Sequence, residues 1–333
     1  MEIVGEEVYT LLDYSKQFEN GEELAVAEVL TKANPMLQDG IVIESNSDAG
    51  HMHSIRTGLP KGTWRRAYKG VPYAKGTQKT VTDTYGVLAQ NIIVDKLIAE
   101  KGGKIGAVRM GQFKTTVEGM SQTMGETLIY GSTKKEEESF TGLASRYAEA
   151  SKEWDNDSSA RNVVLAGVGE KDKNTSIYLV TWAADKTFMF FPKGTKAGIQ
   201  RIDYTPNGKP HSVEDAKGGK FPAYEEYVEW KLGLGIADWR YSGRLANITA
   251  ATTGAELRAA LDELMARVDL GMGNSVLYMN KQTRFKLQQA LDNKGNVFYT
   301  PAQPNQPAVL NYNGLPVHVC DFIKNDEAIV PTI

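Results

Sequence analysis

Thirty consecutive residues, 51–80, hold Arg56, Lys61, Arg65, Arg66, Lys69, Lys75 and Lys79 and not one Asp or Glu. Glycines at 50, 58, 62, 70, 76 and 86 punctuate the stretch, and Trp64, Tyr68 and Tyr73 are interleaved with the cations. Short β-type runs such as TVTDTY between turn residues predict an extended two-stranded loop over 50–85. A projection of that length is uncommon in a compact domain and marks a function or a partner. Three readings are open: a nucleic-acid surface of cations and stacking rings, a solvated loop, or a segment that docks on an acidic surface of another copy, steered by opposite fields.

The preceding segment has the opposite charge. Residues 1–48 carry eleven carboxylates against Lys16 and Lys32, a net −9 beside the +7 of the loop, and the formal −3 of the whole chain conceals both. Within that arm, Val8, Leu11 and Leu12 and then Leu24, Ala27, Val29 and Leu30 fall at near-helical intervals, so a helix broken at Gly21 and ended by Asn34-Pro35 is expected over 6–33. The arm has too little apolar surface to be a domain and must pack on something.

The clearest helix lies over 105–130, where Phe113, Val117, Met120, Met124 and Leu128 recur at intervals of 4, 3, 4 and 4. At about 1.5 Å per residue this is a rod of roughly 39 Å. Gly106, Gly111, Gly119 and Gly125 lie within it; the strength of the stripe favours close approach of another backbone along that side over a weak helix. From 162 to 250 the pattern is β: NVVLAGV, TSIYLVTWA, TFMFF and YVEWKLGLGIADWRY. Thr253 and Glu256 form a capping box ahead of Leu257, Leu261, Leu264 and Val268. SVLYM reads as a strand, KQTRFKLQQAL as a helix capped by Asn280, and NYNGLPVHV as two strands about Asn313-Gly314. Mixed, unevenly spaced elements indicate an α+β fold.

The 333 residues contain enough apolar side chains, 41%, for a sizeable core. One cysteine, Cys320, excludes a disulfide framework and multi-cysteine metal sites. No run of 18 apolar residues and no basic, apolar leader occur, so a soluble intracellular chain with no membrane partner is expected. Gly167/Gly169, Gly233/Gly235 and Gly271/Gly273 suggest dinucleotide turns, but the third glycine position falls on Asp172, Asp238 and Val276. His51 and His53 share a strand face without a third ligand. His318 and Cys320 also share one, where a buried Cys is more simply a small hydrophobe. Glu225, Glu226 and Glu229 fit the alternation of a half-exposed strand. No catalytic residue, cofactor or metal is expected.

The order of parts and several phrases resemble the major capsid proteins of tailed phages, of the Hong Kong 97 type and a podovirus-like branch. IRTGLPKGTWRRAYKGV resembles the entry of their extended loop. GETLIYGS and FTGLASRY resemble the exit of their spine helix, SIYLVTWAADKTFMFFPKGTKAGI and YVEWKLGLGIADWRY their β-rich body, and NYNGLPVHVCDFI their final strands. The resemblance implies an N-terminal arm (1–48), an extended loop (49–86), a peripheral domain (87–160 and 221–250) with the spine helix 105–130, and an axial domain (161–220 and 251–333). It implies hexamers and pentamers building an icosahedral shell around double-stranded DNA, with scaffolding, portal and cement proteins as partners. Such a protein is assembled in the host cytoplasm and resides in the virion. The scaffold would be separate, or removed ahead of Met1. Arg56, Trp64, Arg65, Arg66 and Lys69 are then expected to contact an adjacent subunit, Trp64 as an apolar anchor. Lys61, Lys69, Lys75 and Lys79 are placed where some relatives crosslink, but no motif supplies a partner Asn and no crosslink is expected. A cellular nanocompartment shell of the same fold, and a nucleic-acid-binding protein using the loop, are the alternatives.

Overall fold

The computed structural model describes residues 34–154, 158–205, 208–214, 217–271, 273–292, 298–300 and 309–333, with the short pairs 18–19 and 22–23. In chain order the elements used below are β1 (Phe18–Glu19), β2 (Glu22–Glu23), α1 (Pro35–Asp39), β3 (Val42–Glu44), β4 (His51–Gly58), β5 (Thr77–Asp83) and β6 (Tyr85–Asp95), followed by α2 (Lys96–Ala99), α3 (Ile105–Tyr130) and α4 (Leu143–Arg146). Then come β7 (Val163–Leu165), β8 (Thr175–Trp182), β9 (Thr187–Phe191), β10 (Ile199–Asp203), β11 (His211–Glu214), β12 (Lys220–Ile236) and β13 (Gly243–Ile248). The last are α5 (Gly254–Arg267), β14 (Asn274–Met279), α6 (Lys281–Asp292), β15 (Phe298–Thr300), β16 (Val309–Tyr312) and β17 (Leu315–Val319). The broken helix expected over 6–33 lies outside the described residues, save that Phe18 and Glu19 pair antiparallel with Glu23 and Glu22 across Gly21.

The chain forms two compact units. The first comprises 1–32, 87–124 and 196–231; the second comprises 33–86, 125–195 and 232–333. These bounds differ from the division expected above. The ladders of β10 and β11 with β12 draw 196–220 together with 221–231.

In the first unit β6 and β10 pair with β12, and the α3 stripe packs on the sheet. Ile92, Val94, Ile98, Val108, Met120, Tyr224 and Val228 form its core. Glu226 corrects the surface reading of 225–230. It is buried, and its carboxylate accepts from Arg109 Nε at 2.6 Å and from Arg201 Nε and Nη2 at 2.6 and 2.8 Å. Glu225 and Glu229 do follow the alternation, half-buried and paired with His211 and Lys231.

In the second unit β8, buried along its whole length, is antiparallel to β14, which is parallel to β17. α5 covers this sheet with Leu257, Leu261 and Leu264 against Ile177, Leu179, Leu245 and Leu277. Its start is the expected capping box, and Asn280 Oδ1 accepts from Thr283 N at 2.8 Å at the head of α6. Asn313 and Gly314, at φ 47° and 85°, turn β16 into β17, the left-handed pair a type I′ hairpin requires. Gly233 and Gly235 have a reason unrelated to nucleotides. They lie opposite Phe190 and Phe188 across the β12–β9 ladder, and a Cβ on either would stand 2.5 Å from the facing ring.

The helix over 105–130 is present as α3, and within the single chain no backbone of another element lies against Gly106, Gly119 or Gly125. Gly106 and Gly119 face open space, whereas Gly125 is pressed by the Phe322 ring, 2.7 Å from where a Cβ would sit, and by Asn34. Opposite signs follow. Gly119→Ala should raise stability by up to about 1 kcal/mol through helix propensity. Gly125→Ala should lower it by about 1–3 kcal/mol through overpacking. Urea unfolding of the two variants would read the difference.

Candidate assembly surface at the extended loop

The two-stranded loop is present as a sheet of its own. β4 and β5 pair antiparallel from His51↔Asp83 to Gly58↔Thr77, with an irregularity between Arg56 and Gly58, and residues 59–76 form the unpaired tip. Within the tip, Lys69 N donates to Arg66 O at 3.1 Å and Arg65 Nε to Lys69 O at 3.3 Å. This turn sets Tyr68 at φ 64°, an unusual conformation for a bulky residue.

The candidate residues fall on this tip or its stem. Trp64 is 101% exposed, and Tyr68 and Tyr73 equally so. Arg65, Arg66 and Lys69 are exposed beside them. Arg56 stands opposite Gln78 in the ladder, and its side chain lies outside the described residues. Among the described residues no carboxylate forms an ion pair with Lys61, Arg65, Arg66, Lys69, Lys75 or Lys79. The tip therefore presents several rings and unneutralised cations together, a combination that large exposed apolar patches on interaction surfaces share.

Of the residues that hold the loop, Asp83, Arg146 and Asn46 were not singled out in the sequence, and Gly50 and His51 were named for other reasons. Asp83, the first carboxylate after the cationic run, is buried at the end of β5. Arg146 Nη2 donates to Asp83 Oδ1 at 2.8 Å and to Leu234 O at 2.7 Å, while Ile236 N donates to Asp83 Oδ2 at 3.3 Å. Asn46 brackets Met52, donating to its carbonyl at 2.6 Å and accepting from its amide at 2.8 Å. Gly50, at φ 144°, lies so close to Asp83 O that a Cβ would come within 2.2 Å. His51 sets its ring edge-on to Phe188, centroids 4.8 Å apart. The abrupt return of a carboxylate at 83 was the one available signal in the sequence.

The sites considered for chemistry resolve into structure. His318 Nδ1 is bonded to Asp39 Oδ2 at 2.6 Å, which also accepts from Tyr278 Oη at 2.7 Å. His318 thus pairs with a carboxylate and not with Cys320. Burial pushes the Cys320 thiol up to about 11, leaving it protonated and unreactive at neutral pH. His51 and His53 share a face with ring centroids 6.5 Å apart. Among the described residues no group of three His, Cys, Asp or Glu could hold a metal ion, and no helix is long and apolar enough to cross a membrane.

An α+β body that carries a long two-stranded loop with an exposed apolar and cationic tip is the class of fold the described residues define. Comparison with known proteins gives the family. Residues 19–331 match the family of the major capsid protein GP7, and the chain belongs to that family. It is similar to a chain of the bacteriophage Epsilon15 structure, with 27% identity, TM-score 0.73 and 99% of both chains covered. The capsid of the native GTA particle shares the fold at 9% identity and TM-score 0.50, over 70% of this chain and 96% of that one. A likeness to the SrpI encapsulin of Synechococcus elongatus, at 8% identity and TM-score 0.44 over 74% of this chain and 98% of that one, is too weak to carry weight. No curated protein matches the chain. The fold is the Hong Kong 97-type capsid fold expected from the sequence, and the protein is a shell-forming structural component of a phage virion.

Proposed function

We propose that copies of this chain assemble as hexamers and pentamers into the icosahedral head that encloses double-stranded DNA, with the extended loop reaching from each copy onto an adjacent one. The observation that carries this reading is the loop tip, where Trp64 is fully exposed beside Arg65, Arg66 and Lys69. A monomer gains nothing from a bare Trp flanked by unpaired cations, whereas an acidic surface with an apolar recess on a second copy satisfies both. Arg56, farther down the stem, extends the same charge. The −9 segment 1–48 is an acidic counterpart within the same chain, and its neighbour-facing use would make arm and loop complementary halves of one contact.

In this reading the arm (1–48) and loop (49–86) are appendages of a peripheral part, which carries the long helix, and an axial part at the capsomer centre. Scaffolding, portal and cement proteins are partners of the assembling shell in the host cytoplasm. DNA is held non-specifically by the finished interior. The test is negative-stain microscopy of the chain co-expressed with its scaffolding gene. Closed particles of uniform diameter are expected; a protein that stays monomeric under every assembly condition would overturn the proposal.

A further inference from the structure

The root of the loop contains a nearly buried histidine that is poorly bonded. The His53 side chain is 8% exposed, and neither ring nitrogen makes a well-aligned hydrogen bond among the described residues, the Ile236 backbone alongside it being the weak exception. Asp83 Oδ2 is 3.7 Å away, beyond hydrogen-bond reach, and that carboxylate is already engaged by Arg146 and by the Ile236 amide. The titratable and charged groups facing His53 are His51 on its own strand, Asp83 on β5 and Arg146 on α4. β12 offers the backbone of Ile236, and β9 offers the uncharged rings of Phe188 and Phe190 next to His51.

We propose that His53 is a proton-operated fastening for the extended loop: with a neutral ring the β4–β5 root stays seated, and with a charged ring the root loosens so that the loop can swing. Charging His53 buries a second cation beside Arg146, where only one carboxylate is present. The two cations then compete for Asp83, whose bonds to Arg146 and Ile236 hold the root.

The direction of the pH effect follows. Burial holds His53 below the usual histidine range; Asp83 and the Ile236 backbone pull the other way, and Arg146 adds to the burial. Burial lowers His51 as well. A histidine depressed in the seated form contributes stability that is complete above its free pKa of about 6.5. That stability is lost as pH falls through this value toward the lower seated-state pKa.

The experiment is hydrogen exchange on the unassembled full-length subunit, at about pH 7.5 and about pH 5.5, with rates normalised to intrinsic chemical exchange. Segments 51–55 and 77–83 should exchange several-fold faster at the lower pH in the unaltered protein. The rise should vanish in His53→Gln and His53→Phe and persist in His51→Gln. In the unaltered protein the exchange rise should fall between the free-histidine pKa of about 6.5 and the lower NMR midpoint of the seated His53 ring, which tests the idea without any variant. A flat profile in the unaltered protein, an undiminished rise in both His53 variants, or a rise outside that interval would overturn it. Because the readout uses subunits that have not assembled, its outcome is separate from whether the loop contacts a neighbour.

Discussion

Reversing Arg65 and Arg66 to Glu is expected to abolish closed shells while leaving a soluble, folded subunit. Both side chains are exposed, and among the described residues the bond from Arg65 Nε to Lys69 O is the only one either side chain makes. The cost to the isolated fold should therefore stay within about 0.5 kcal/mol. The effect on assembly is much larger. The loop charge falls from +7 to +3, since two cations are lost and two anions gained. Each surface ion pair is worth only about 0–1 kcal/mol, but like charges placed on an acidic surface add repulsion, and every copy in the shell repeats the loss. Trp64→Ala on the same tip should act through a different term, removal of a buried anchor worth about 2 kcal/mol or more. Thermal unfolding, gel filtration and negative stain together separate the cases. Normal shells from the double reversal would refute the assigned role of the arginines.

Glu327→Ala is expected to destabilise the second unit by about 3–5 kcal/mol. Arg244 and Glu327 are both buried. Arg244 Nη2 donates to Glu327 Oε2 at 2.8 Å, Tyr130 Oη donates to Oε1 at 2.6 Å, and Ser176 Oγ also donates to Oε2. The remaining donors of Arg244 reach Ser176 Oγ and Tyr147 O, both at 3.0 Å. Removing the carboxylate strands a guanidinium that has no water to turn to, and deprives Tyr130 of its acceptor. Glu327→Gln, which keeps the shape and most bonds but not the charge, should cost less. Denaturant unfolding of the two variants measures the ordering; equal and small losses would mean that water enters the site.

What the sequence displayed was what neighbouring residues decide together. The α3 stripe, the Thr253–Glu256 box, the Asn280 cap and the Asn313-Gly314 hairpin each depend on side chains a few positions apart. All four are present as expected. The loop was legible because charge and glycine exclude that stretch from any core. What stayed hidden were pairings across long separations. Glu226 looked like one of three surface carboxylates in EEYVEW, and only Arg109, 117 residues away, together with Arg201, explains its burial. Arg146 secures Asp83 across 63 residues, so the root of the loop left no local trace beyond the return of a carboxylate at 83. The LGLGI run was ambiguous for the same reason, since the rings that require Gly233 and Gly235 stand on β9. For the candidate site, the tip was visible in composition, whereas its support was not.

The position of Glu327 along the chain also bears on when the subunit can finish folding. The ribosome makes Arg244 first, and its carboxylate partner follows 83 residues later. Asn174 and Asn247 likewise wait for backbone groups of Glu327 and Val330 to fill their hydrogen bonds. A nascent chain therefore carries an unneutralised guanidinium and two unfilled amides at the heart of its sheet until residues 327–330 emerge. Completion waits until residues 327–330 have been made, so that a growing polypeptide short of them lacks the finished second unit with which to join a shell.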